Sequence, residues 1–301
     1  MKTRFISALI VAMGILFSTV NASGQRIQQV FLSPESAMHE FGEAVKAKDE
    51  KALRLMLGDD YLDIIPAPTK GDYQRFIGAW EKAHFIVTES PELAHIAVGD
   101  KGWTLPIPLA KTRMGWFFDM DAADEEIDQR TIGANELATI KAMLAYGDAQ
   151  KEYAEKDRIG DGVTQYAQKL QSSPGKRDGL YWPTNADEPR SPIGEYFAQS
   201  KSIEGMENRG FYGYRFRILT RQGPAALGGA KSYVEGGRMT GGYALIAWPI
   251  VYGETGVMTF IVNQLGEVYQ KNMGANTAQS VHTITSYNPD KSWTKVSQDD
   301  L

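Results

Sequence analysis

The chain has 301 residues, 43% of them hydrophobic and 23% charged, the balance of a globular protein long enough for about two domains. Its formal charge is −5, and no basic cluster exceeds the pair Lys176-Arg177, which excludes general nucleic-acid binding, because phosphate neutralisation needs clustered Lys and Arg. Cysteine is absent, so disulfides, thiol nucleophiles, lipid attachment through cysteine and cysteine-based metal sites are excluded together.

Lys2 and Arg4 precede an apolar run from Ile6 to Val20, and Val20-Asn21-Ala22 offers small residues before a cleavage point after Ala22. This is the layout of a secretory signal peptide over residues 1–22. The apolar run falls short of the roughly 20 residues that a membrane span needs. Cleavage is therefore expected, leaving a periplasmic or secreted chain without a stable membrane span. Losing Lys2 and Arg4 takes two positive charges from −5 and leaves −7.

A first α+β region is expected over 31–127. Ser33 is placed to cap a helix with Pro34 in its first turn, followed by Ala37, Met38, Phe41 and Val45. Asp49 opens a second helix that ends at Gly58. Strand-like stretches follow at Phe85–Thr88, Ala94–Val98, Gly102–Leu109 and Gly115–Asp119. Helices first and strands after, with VKAKDEKALRLMLGDD leading and GWFFD closing, resembles the cone-shaped NTF2-like fold. That resemblance implies a pocket, for which Tyr61, Asp63, His84, His95 and Asp119 are the candidate lining groups. Lone histidines in such positions are more often structural, so no catalytic role is assigned to them. Asp119, Asp121, Asp124, Glu125 and Glu126 form an acidic cluster that reads as a solvated linker leading into a helix.

A second region is expected over 132–296. Ile132-Gly133 reads as a hinge, and Asn135 as the cap of a long helix over 135–156, with Glu136 in the first turn and Leu137, Ile140, Leu144 and Gly147 at helical spacing. After it, Asp157, Asp161 and Gln165 lie in a truncated loop of the D-x-D-x-D-G type, a candidate calcium site because hard oxygens at alternate positions face inward around a Gly turn. Ile159 in the second acidic position leaves two charged ligands, and Asp161-Gly162 serves equally as turn chemistry. Ser172 to Pro183 is a loop rich in turn formers with an aromatic tip. Lys176, Arg177, Tyr181 and Trp182 are its candidate partner-binding residues, set against the alternative that Leu180, Tyr181 and Trp182 fold back into the core. Strands are expected at Tyr214–Leu219, Met239–Pro249, Met258–Asn263 and from Val268, with a turn at Asn263–Gly266.

One long helix followed by such strands resembles the globular part of type IV pilins and pseudopilins, and TGVMTFIVNQLGEVYQ resembles their last hairpin. The apolar half-helix that packs pilin filaments is missing, so pilin-like architecture without polymerisation is implied. Taken whole, residues 31–296 resemble an exported bacterial family catalogued as domain-of-unknown-function family 2950. The carrying stretches are LPIPL, IGANELATIKAMLAYGDAQKEYA, SPGKRDGLYWP, GYRFRILTRQGPAALGGA, GGRMTGGYALIAWP and GVMTFIVNQLGEVYQKNMG. Members of that family carry a fuller Asp-rich loop where this chain has Ile159, which weakens the calcium reading.

No G-x-S-x-G, H-E-x-x-H, phosphate-binding loop or G-x-G-x-x-G occurs, and the four histidines show no ligand spacing. The sequence therefore points to a non-catalytic binding or scaffold protein of the envelope, with an unknown envelope protein or small ligand as partner and no resident cofactor. The alternative is a ligand-binding or hydrolytic pocket in the first region.

Overall fold

The computed structural model describes residues 28–65, 67–185, 187–200 and 210–297, so the expected signal segment lies outside the described residues. The chain divides into two compact units between Ala123 and Asp124. Each combines helices with antiparallel sheet, the α+β class expected.

In the first unit α1 (Pro34–Ala47), α2 (Glu50–Leu57), α3 (Tyr61–Ile64) and α4 (Lys70–Lys82) precede β1 (His84–Ser90), β2 (Leu93–Val98), β3 (Trp103–Thr104), β4 (Leu109–Lys111) and β5 (Trp116–Phe118). Ser33 caps α1 by accepting the Ser36 N–H at 3.2 Å, and Asp49 caps α2 by accepting the Ala52 N–H at 3.0 Å. The apolar pattern does not announce α4, because Trp80 is its one buried residue; a capping box between Thr69 and Asp72 starts it. The strands run β1-β2-β4-β5, all antiparallel, with β3 against β2. β2 is covered by neighbours on both edges and is buried from Ala94 to Val98.

Helices and sheet meet on a cluster of rings. Phe41 lies 6.0 Å from Trp80 and 5.5 Å from Phe118, and Phe31 meets Phe118 edge-on at 5.9 Å. Phe76 adds a contact to Trp80 at 5.7 Å. Trp80 packs so closely on α1 that a Cβ at Gly42 would collide with its indole.

The long helix α5 (Met120–Ala154), whose first four residues belong to the first unit and the rest to the second, begins 15 residues before Asn135. Its start is set by Asp119, whose Oδ1 accepts the Ala122 N–H at 3.1 Å. The expected hinge at Ile132-Gly133 is therefore helical, and Asn135 lies inside the helix rather than capping it. The first four turns carry no continuous apolar stripe, only Met120 and Ala123 of the first turn being buried, so periodicity could not find them. They mix good helix formers with three aspartates and Gly133 and carry an Arg130–Glu126 pair at 2.8 Å. The buried face is Ile140, Met143, Tyr146, Ala149 and Tyr153, while Leu144 and Gly147 sit at its margin. Two tyrosines, not leucines, centre the stripe.

After α6 (Glu195–Ala198) come β6 (Tyr214–Leu219), β7 (Arg221–Gln222), β8 (Lys231–Ser232), β9 (Val234–Glu235), β10 (Arg238–Met239), β11 (Ala244–Pro249), β12 (Met258–Asn263), β13 (Tyr269–Asn272), α7 (Thr277–Ser280) and β14 (Thr294–Lys295). The main sheet is an antiparallel meander in the order β14-β13-β12-β11-β6, with small ladders β7–β8 and β9–β10 beside it. β11, between two partners, is buried throughout. The β12–β13 hairpin turns at the expected residues, closed by the Gly266 N–H donating to the Asn263 carbonyl at 2.9 Å.

α5 is tied to this sheet by polar contacts as well as by packing. Glu136 Oε1 accepts the Val257 and Met258 amides at 2.8 and 2.9 Å, and Asn135 donates to the Thr255 carbonyl at 3.0 Å. Buried Gln150 imitates a backbone unit. It donates to the Ala167 carbonyl at 2.9 Å and accepts the Ala167 N–H at 2.8 Å.

Candidate functional site

A cleft of about 910 Å³ opens where residues 169–183 cross the second unit, lined by Lys169, Ser173, Gly175, Lys176, Arg177 and Trp182 among others. Its wall is a loop closed upon itself. Ser172 N–H donates to the Tyr181 carbonyl at 2.8 Å, and Tyr181 N–H donates to the Leu170 carbonyl at 2.9 Å. Inside that frame, Gly179 N–H donates to Ser172 Oγ at 3.0 Å. A Cβ on Gly179 would run into the Gln171–Ser172 backbone, so the two arms of the loop touch there.

The tip is the turn Ser173-Pro174-Gly175-Lys176, closed by the Lys176 N–H on the Ser173 carbonyl at 2.9 Å. Proline second and glycine third at φ +72° is the pattern of a type II turn, whose third position needs positive φ. Asp178 braces the tip from behind. It accepts the Ser173 N–H at 2.7 Å, the Ser173 hydroxyl at 3.0 Å and Lys169 Nζ at 2.7 Å. Partial burial works against its charged form, but these donors outweigh burial and hold the carboxyl down at about 2.

The model of the family described as "Protein of unknown function (DUF2950)" matches residues 28–296. The chain belongs to that family. No curated protein and no solved structure matches it.

In this DUF2950 chain the four candidate partner residues share one loop but differ in presentation. Lys176 and Arg177 are exposed and have no carboxylate partner among the described residues. Tyr181 is half-buried and contributes backbone pairing with Gln171. Trp182 is 5% exposed, so the aromatic tip is turned inward, as is fully buried Leu180. Its ring lies edge-on to Tyr153 at 6.5 Å, and the guanidinium groups of Arg177 and Arg158 sit 5.4 and 5.6 Å from its centroid. Arg158 also closes the end of α5 by donating to the Tyr153 and Glu152 carbonyls. Tyr153 Oη donates to the Arg177 carbonyl at 2.6 Å, and burial, followed by the nearby Asp178 charge, pushes this phenol up to about 12, so it remains a donor.

Lys169, Asp178, Tyr153 and Arg158 escape sequence reasoning. The Lys169–Asp178 pair spans nine residues of irregular chain, and no periodic pattern links its members. SPGK was the available signal: a proline-glycine turn followed by two cations.

The loop holding Asp157, Asp161 and Gln165 is arranged differently. Asp157 Oδ1 accepts the Ile159, Gly160 and Asp161 amides, and Oδ2 accepts the Gly162 amide at 2.7 Å. The Gly162 bond leads in holding the Asp157 pKa below the ordinary carboxylate value. Asp161 pairs with Arg238 at 2.8 Å and accepts from Gln165 Nε2 at 3.4 Å. Among the described residues no group of three or more His, Asp or Glu side chains is placed to hold a metal ion.

In the first unit Tyr61, Asp63, His84, His95 and Asp119 are joined to one another by no hydrogen bond or ion pair. His84 pairs across from Val98 and His95 across from Val87, which puts the two rings on opposite faces of the β1–β2 hairpin. His84 stacks on Trp80 at 4.5 Å, His95 lies 3.2 Å from Glu89, and Asp119 is committed to starting α5. Elsewhere in the second unit the Gly223–Gly229 loop is held by Gln222, whose amide donates to the Leu227 and Gly229 carbonyls, and it presents Leu227 at 80% exposure.

Proposed function

We propose that this chain is an exported protein of the cell envelope that acts by binding, and that its partner engages the cleft beside Lys176 and Arg177. The observation that carries the reading is an internally braced loop that presents two cations, with no carboxylate partner among the described residues, beside a cleft of about 910 Å³. Loops positioned by a packed scaffold are where binding groups concentrate. Export rests on residues 1–22, and periplasmic or secreted placement follows from it. No described helix is long and apolar enough to cross a membrane.

In the same reading the second unit is pilin-like, supported by a long helix followed by a meander, and the first is NTF2-like, supported by helices preceding an antiparallel sheet. Asp157, Asp161 and Gln165 close a turn rather than a calcium site, because amides and Arg238 already occupy the carboxylate oxygens. No cofactor enters the reading.

The test is crosslinking in cells expressing the full chain, comparing it with the Lys176→Ala/Arg177→Ala double variant. The expected result is an envelope adduct that disappears in the double variant while circular dichroism and melting stay unchanged. An identical set of adducts would remove the cleft from the reading. A mass showing residues 1–22 retained would remove export.

A further inference from the structure

The charge layout of the cleft goes beyond the bare fact of binding. Lys169 and Asp178 neutralise each other at 2.7 Å, and Asp178 also holds the loop backbone, so neither is available to a ligand as a free charge. What remains at the rim is Lys176 and Arg177, both exposed and adjacent, on a chain whose net charge is −5. A local positive site on an acidic protein concentrates anions against the overall field.

Arg177 is held from two directions. Its carbonyl is fixed by Tyr153 Oη at 2.6 Å, and its guanidinium lies over the Trp182 ring at 5.4 Å. The indole face thus fixes a planar fork that would otherwise sample many rotamers, and such a fork matches two oxygens of a phosphate or carboxylate. Trp182 is too buried to stack on a ligand, which makes it a base plate for Arg177. Lys176, fixed at the end of the Ser173–Lys176 turn, supplies a second, movable positive charge.

We infer that the cleft recognises a multiply charged anion, a phosphate or clustered carboxylate group, with Arg177 and Lys176 as the contacting residues and Trp182 as the positioning residue. This rests on the binding reading above and names the chemistry of what is bound.

The experiment is calorimetric titration of the full chain with inorganic pyrophosphate in one arm and citrate in the other, at two salt concentrations. Binding is expected in at least one arm, and the better anion assigns the source as phosphate or carboxylate. Arg177→Ala and Lys176→Ala should each weaken it about tenfold, and added salt should weaken it further. Arg177→Lys should recover only part of the loss, because charge is kept and the fork is not. Trp182→Phe should bind nearly as the parent does, whereas Trp182→Leu, which loses the ring face and leaves a cavity in the core, should weaken binding at a temperature where circular dichroism shows it still folded. Failure of both anions to bind, or binding indifferent to Arg177 and Lys176, overturns the inference. If neither anion binds yet the envelope adduct still depends on Lys176 and Arg177, the anion class is wrong and the binding reading stands. If the anions bind through Arg177 but the adducts do not change, the envelope-partner reading fails alone.

Discussion

Tyr153, in the last turn of α5, donates its hydroxyl to the backbone carbonyl of Arg177 at 2.6 Å, so the end of the long helix sets the position of the cleft's exposed arginine. Removing only that hydroxyl by Tyr153→Phe should cost about 1 kcal/mol in urea unfolding, the net worth of one hydrogen bond. The aromatic contact to Trp182 survives the change, so any loss of pyrophosphate affinity beyond the stability effect reports on Arg177 placement. Unchanged stability and affinity would show the bond to be idle.

Gln150 is fully buried and gives the Ala167 backbone both a donor and an acceptor. Gln150→Ala leaves those groups unpaired and opens a cavity beside Tyr146, which loses its bond from Gln150 Nε2 as well. A loss of about 2–4 kcal/mol is expected. Denaturant midpoints measured on the second unit's tryptophan and tyrosine signals would check it, and a loss below about 1 kcal/mol would mean that water replaces the side chain.

Asp178 gives the cleft a defined acid limit. Its folded-state value of about 2 lies below the ordinary 3.8, so the unfolded chain binds the extra proton first. The stabilisation is therefore fully present above about pH 4 and is lost as pH falls toward 2. The stability gap between the parent and Asp178→Asn should be constant from neutral pH down to about 4 and then close. A gap that closes near neutrality, or stays open at pH 2, would contradict the assignment of the acid sensitivity to this carboxylate.

Calcium should leave the protein's melting temperature unchanged. At about 5 mM metal, a site of roughly 50 µM affinity would add about 2.7 kcal/mol and raise the midpoint by several degrees. Asp157→Ala, in contrast, should lower it with or without calcium, since four amides lose their acceptor. A calcium-dependent rise that vanishes in Asp157→Ala would restore the metal reading.

Local chemistry in the sequence determined a good part of this protein. Ser33 and Asp49 cap their helices, the Asn263–Gly266 turn closes its hairpin, and the α+β class and the family follow from stretches read in order. Each of these is a short-range effect: a side chain and a backbone group a few residues apart, or an alternation along one strand. The start of α5 was not legible, because acidic residues interrupt the apolar spacing over 120–134, where the helix is supported by Asp119, an ion pair and the burial of Met120 and Ala123. Nor could the sequence say that Asn135 and Glu136 answer to Thr255, Val257 and Met258 rather than capping a helix, since those partners are about 120 residues away. The candidate residues Lys176, Arg177, Tyr181 and Trp182 were visible as a motif. Their division of labour was not. Only the tertiary structure buries Trp182 against Tyr153, neutralises Asp178 with Lys169 and leaves Lys176 and Arg177 facing outward, because burial and charge pairing depend on which distant side chains the fold brings together.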